Sequence, residues 1–110
     1  PCGLCMAAGR DPLCYIGELG PGMEGNLAVP NIGPRLSIVT NKGELLARVG
    51  DIRAGMAPGQ FIAPHGLAVD SHGDIYVGEV SYTAWPRLGI AEGPAPADLR
   101  SLRKLVRIPD

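Results

Sequence analysis

The stretch Pro64-His65-Gly66-Leu67-Ala68-Val69-Asp70-Ser71-His72-Gly73-Asp74-Ile75-Tyr76-Val77-Gly78-Glu79-Val80 holds two strands and the turn between them. Residues 66–70 and 74–81 supply the strands, with Tyr76-Val77 among the residues that favour a pleated, half-buried surface. Ser71-His72-Gly73 supplies the turn chemistry. The second strand is apolar on both of its faces, so it is expected to be covered on both sides.

The same pattern stands earlier in the chain as Pro1-Cys2-Gly3-Leu4-Cys5-Met6, a turn at Gly9-Arg10-Asp11-Pro12, then Cys14-Tyr15-Ile16-Gly17-Glu18-Leu19. Both copies read Pro-x-Gly-Leu, a turn, then Tyr, a β-branched residue, Gly and Glu. Internal repetition of this kind marks repeat architectures. Residues 4–8 and 13–19 form the first hairpin. A further hairpin follows it: Arg35 to Thr40, the turn Asn41-Lys42-Gly43, and Glu44 to Val49, with Gly43 meeting the turn's need for positive φ. After the second copy, residues 104–110 match residues 35–41. The chain is therefore read as all-β, four antiparallel strands in residues 1–50 and three in residues 59–110, within one domain of 110 residues. Residues 20–34 and 81–100 are long Gly- and Pro-rich connections, with a helical turn expected over 97–102. Leu67, Val69, Ile75, Val77, Leu36, Ile38, Leu45 and Ile16 are the expected core.

Composition agrees. Sixteen glycines and eleven prolines make about a quarter of the chain, against a usual combined share of about 12%. The hydrophobic share of 45% is nevertheless too high for a disordered segment, which leaves short strands joined by many turns. The net charge of −1, with basic residues scattered apart from Arg100, Arg103, Lys104 and Arg107, is not a nucleic-acid footprint. No apolar run approaches the roughly 20 residues of a membrane span. Three cysteines crowded into the first fourteen residues are a poor disulfide framework and suit a reducing, cytoplasmic setting. The chain opens on Pro1 rather than Met, which leaves open whether it is full-length or a fragment.

Four-stranded units that carry Pro-His-Gly-Leu-Ala-Val-Asp in the first strand, Gly-Asp-Ile-Tyr-Val in the second and Gly59-x-Phe61 ahead of both resemble NHL repeats. The resemblance implies a β-propeller, commonly six-bladed, with the first strand of each blade lining a channel and the fourth outermost. Here it would supply two blades, the second lacking its outer strand. Cys2 stands in the first copy where His65 stands in the second, and no Gly-x-Phe precedes it. Fewer than about three repeats rarely stand alone, and a propeller needs about four to eight blades. Self-association is thus expected, with a homotrimer first and a dimer second. The family includes binding scaffolds, and peptidyl-hydroxyglycine amidating lyases whose Pro-His histidines bind zinc; related propellers include lactonases.

Against that background each candidate has two readings. His65, the one match to the Pro-His motif, is a metal ligand or base on the functional reading, and a structural anchor for its loop on the other. A single His supplies one of the three or four ligands that zinc requires. Cys2-x-x-Cys5, with Cys14, has ligand spacing, yet cysteines on apolar strands usually pack as small hydrophobes. Glu18 and Glu79 sit where family members place an acid that receives backbone hydrogen bonds; they could instead contact a ligand. Trp85 and Tyr82 offer aromatic contacts to a partner, or cap a blade. His72 reads as a solvated turn residue. Gly20-x-Gly22-x-x-Gly25 imitates a dinucleotide fingerprint but is followed by Asn26-Leu27-Ala28-Val29-Pro30, too short for the helix that motif needs. No catalytic residue emerges. The leading expectation is a structural or binding module that self-associates and presents loops and a channel to a protein or small-molecule ligand. The alternative is a metal-dependent lyase or hydrolase, using zinc or calcium, neither of which the residues assure.

Overall fold

The computed structural model describes residues 1–108. Its strands are β1 (Gly3–Met6), β2 (Cys14–Glu18), β3 (Arg35–Val39), β4 (Leu45–Gly50), β5 (Pro64–Val69), β6 (Ile75–Glu79) and β7 (Leu102–Leu105). They form two antiparallel sheets of four and three strands, in the orders β1-β2-β3-β4 and β5-β6-β7. The chain is mostly β, and neither sheet closes on itself.

The two copies fold alike. Gly3 pairs with Gly17 and Leu4 with Ile16 in the first sheet, as Gly66 pairs with Gly78 and Leu67 with Val77 in the second. The second turn is held by Asp70, whose Oδ1 accepts from the backbone N–H groups of His72 (2.9 Å) and Asp74 (3.0 Å) while Tyr76 donates its hydroxyl to Oδ2 at 3.1 Å. Gly73 supplies φ 83° at this turn. His72 is exposed there, as a turn residue should be.

Four details correct the sequence reading. The third strand of the second unit is β7, and it begins earlier than residue 104. Lys104 pairs with Tyr76, the place Ile38 takes opposite Tyr15, so residues 104–110 are three positions out of step with residues 35–41. The polar Arg103-Lys104 pair hid the alternation that would have fixed the register. Pro109 and Asp110 of that match lie outside the described residues. Leu45 is not core: it is 47% exposed, because β4 is an outer strand and its pairing shifts between Ile38 and Val39. Ile16, also expected in the core, is half-buried and faces away from the second sheet, because it alternates with Tyr15 and Gly17, which face it. The helical turn expected over 97–102 is not formed, since β7 begins at Leu102.

The connection after β6, expected to be loop, contains helix α1 (Ser81–Leu88). Its buried Ser81, Ala84 and Trp85 and half-buried Leu88 recur at the i, i+3, i+4, i+7 spacing of a helix face. Gly89, at φ 61°, ends it in the left-handed conformation. Ser81 donates Oγ–H to the Arg100 carbonyl at 2.5 Å, tying the helix to the residues that lead into β7.

The sheets pack face to face over Tyr15, Leu36, Phe61, Ile75 and Val77, with Ile38, Val49, Leu67, Val69 and Leu105 half-buried around them. Fully burying each large aliphatic or aromatic side chain of this kind contributes about 1.5–3 kcal/mol. A second cluster lies beneath α1: Ile62, Ala63, Ala84, Trp85 and Leu99, joined by Leu19 from the first unit. Arg87 donates to the Gly22 carbonyl at 3.1 Å, so the two long connections also meet each other. No helix among the described residues is long and apolar enough to cross a membrane.

Candidate functional site

Glu18 and Glu79 end the second strand of their units, and each is held by a set of polar contacts. Glu79 is buried. Its Oε1 accepts from the backbone N–H groups of Ile62 at 2.7 Å and Ala63 at 2.9 Å, immediately ahead of β5. Burial pushes its carboxyl above the ordinary range, while those two bonds and the positive charges of Arg103 and Arg100 pull it back. Arg103 stacks its guanidinium 4.8 Å from the centre of the Phe61 ring and donates to the Gln60 carbonyl. The segment from Gln60 to Ala63 is therefore clamped by an acid on β6 and a base on β7.

Glu18 has different company. Arg35 donates Nε–H to its Oε2 at 2.8 Å and Nη2–H to Oε1 at 3.4 Å, and Ser37 donates its hydroxyl at 2.5 Å. Burial raises the Glu18 carboxyl, but these partners outweigh it and hold it below the ordinary range. Beside them opens a cavity of about 300 Å³ lined by Pro1, Glu18, Met23, Asn26, Ile32 and Arg35. Arg35, Ser37 and Arg103 carry no sequence motif that marks them as partners of these acids. The pairing of Arg35 with Glu18 was legible in principle, since the two stand opposite each other on neighbouring strands. Arg103 was hidden by the misplaced register of β7.

The other candidates are dispersed. His65 is exposed on β5, where the pairing with β6 shifts between Pro64 and Gly66. Cys2 is exposed, Cys5 half-buried and Cys14 buried, all as free thiols. Cys5 lies opposite Tyr15 and Cys14 opposite Met6, which puts Cys5 and Cys14 on opposite faces of the sheet. Among the described residues no group of three or more His, Cys, Asp and Glu side chains is placed to hold a metal. Trp85 sits in the cluster beneath α1, and its Nε1–H has no hydrogen-bond partner among the described residues. Tyr82, on the same helix, is exposed and donates its hydroxyl to the Ala97 carbonyl at 3.3 Å. The Gly20–Gly22 and Glu24–Asn26 segments are short 3-10 turns, which present no α-helix amino end to a phosphate.

No protein-family model, curated protein or solved structure matches this chain.

Proposed function

We propose that the chain is a structural and binding module of the NHL propeller kind, a two-blade unit that associates with further copies of itself. The observation that carries this reading is a contrast in how side chains are used. The acids that a catalytic site would draw on are engaged in holding the chain, Glu79 on backbone N–H groups and Glu18 on Arg35 and Ser37. Apolar side chains on the outer surfaces are meanwhile left open, with Leu4 at 67%, Leu102 at 74% and Met6 at 49% exposed. A sheet has to bury its apolar face against another layer.

Three chains of two blades would supply six; two chains would supply four. Sedimentation at micromolar concentration tests the reading: a mass of three chains, or of two, supports it, and a monomer throughout overturns it.

His65 favours one second reading, a metal-dependent lyase or hydrolase. Its exposed place on the first strand of the second unit leaves the ring open to meet the same residue of other copies around a shared axis. Three imidazoles with a fourth position open would suit zinc. Elemental analysis of the purified protein separates the two readings.

A further inference from the structure

The contact between the two sheets inside the chain contains a knob and a socket, and each has an unused twin on an outer face. The socket is the cross-strand pair Gly3 and Gly17. The knob is Leu67, whose Cδ2 lies where it would stand 3.0 Å from a Cβ built on Gly3 and 3.5 Å from one built on Gly17. A side chain at Gly3 would also collide with the His65 carbonyl, so the absence of Cβ atoms is what lets β5 approach β1 and β2.

Strand alternation then assigns the faces. In the first sheet Gly3, Cys5, Tyr15 and Gly17 look toward the second sheet, so Leu4, Met6, Cys14 and Ile16 look away from it. In the second sheet Leu67, Val69, Ile75 and Val77 look inward, so Gly66, Ala68, Tyr76 and Gly78 look outward. The outward face of the first sheet is thus the counterpart of the inward face of the second, with Leu4 in the place of Leu67. The outward face of the second sheet is the counterpart of the socket face, with Gly66 and Gly78 paired as Gly3 and Gly17 are. A Cβ on Gly66 would meet nothing within 4 Å, and Leu4 is two-thirds exposed. Knob and socket are both vacant, at opposite ends of one molecule.

We infer that a second copy of this chain docks head to tail, seating its Leu4 over Gly66 and Gly78 and so repeating the internal contact of Leu67 with Gly3 and Gly17. This rests on the self-association proposed above and adds which faces meet. A contact between two different faces is heterologous, and it makes a ring if the rotation closes. The match is best over the inner two strands. Further out, Leu102 stands where the first sheet has Leu36 and Lys104 where it has Ile38, so the apolar contact continues at Leu102 and stops at Lys104.

The test uses two variants, each of which blocks one face: Leu4→Arg removes the knob and Gly66→Arg fills the socket. Both positions face away from the internal contact, so circular dichroism should show each variant folded as the wild type is. Each alone is expected to sediment as a monomer, whereas an equimolar mixture, which retains one live knob and one live socket, forms a complex of two chains and no larger. Gly66→Ala, a milder change, should weaken association without abolishing it. If the wild type assembles and both single variants assemble equally well, or if the mixture remains monomeric, the knob-and-socket docking is overturned while self-association stands. A wild type that is itself monomeric overturns both.

Discussion

Glu18 and Glu79 end equivalent strands and satisfy their carboxylates from different sources. Glu79 receives two backbone N–H groups from the segment ahead of β5, and Glu18 receives the side chains of Arg35 and Ser37 across the sheet. The difference follows from what lies next to each acid. The Gln60-to-Ala63 segment crosses beside Glu79, with Phe61 beneath it, while a cavity lies beside Glu18.

Glu79→Ala leaves two buried N–H groups without an acceptor, each costing about 1–3 kcal/mol. Glu79→Gln keeps an oxygen that can accept both and should cost much less. Urea denaturation of the two variants checks the order. Equal losses would mean that the Glu79 charge, rather than its place as acceptor, holds the segment.

The two acids should act on stability with opposite dependence on pH. The folded value of Glu18 lies below its ordinary 4.5, so its contribution is fully present above that value and is lost as pH falls through the folded one. The folded value of Glu79 lies above 4.5, so its contribution is fully present below 4.5 and is lost as pH rises through the folded one. Relative to wild type, the deficit of Glu18→Gln should widen with rising pH and then level off, and that of Glu79→Gln should narrow. Denaturation midpoints measured from about pH 3 to about pH 7 distinguish the trends.

Leu36→Ala removes a fully buried side chain at the centre of the contact between the sheets and should cost about 2–5 kcal/mol. Leu45→Ala, on an open outer strand, should stay within about 1 kcal/mol. A large loss at Leu45 would show that its face is covered in solution, which sedimentation of the same variant would then reveal.

Trp85 is the single tryptophan, and its burial predicts a blue-shifted fluorescence that moves red on unfolding. Trp85→Phe keeps most of the apolar volume and removes an N–H that has no partner among the described residues. It should be tolerated far better than Trp85→Ala, for which about 3–5 kcal/mol is expected. A Phe variant as damaged as the Ala variant would point to a hydrogen bond at Nε1.

Under the scaffold reading His65→Ala should leave assembly and stability unchanged, and protein purified after growth with zinc should carry well under one zinc per three chains. Zinc at that ratio or above, lost in the variant, would transfer support to the metal-dependent reading.

The sequence by itself determined six of the seven strands and the order of all seven in the chain. Turn residues, β-branched runs and the repeated Pro-x-Gly-Leu and Tyr-x-Gly-Glu patterns are local signals, and each hairpin forms between neighbours in the chain. Tertiary structure decided what those signals leave free. Helix α1 carries a readable apolar stripe in Ser81, Ala84, Trp85 and Leu88, yet it lies among glycines, includes Pro86 and has no side-chain cap; its stripe is covered by Ile62, Ala63 and Leu99 from distant parts of the chain. The register of β7 depended on which residue met Tyr76 across a connection of more than twenty residues, and the polar Arg103 and Lys104 gave no alternation to announce it. The same holds for the two acids. Their place at a strand end follows from the repeat, but whether an N–H or a guanidinium reaches them depends on which segment folds back beside them, and local pattern does not encode that distance.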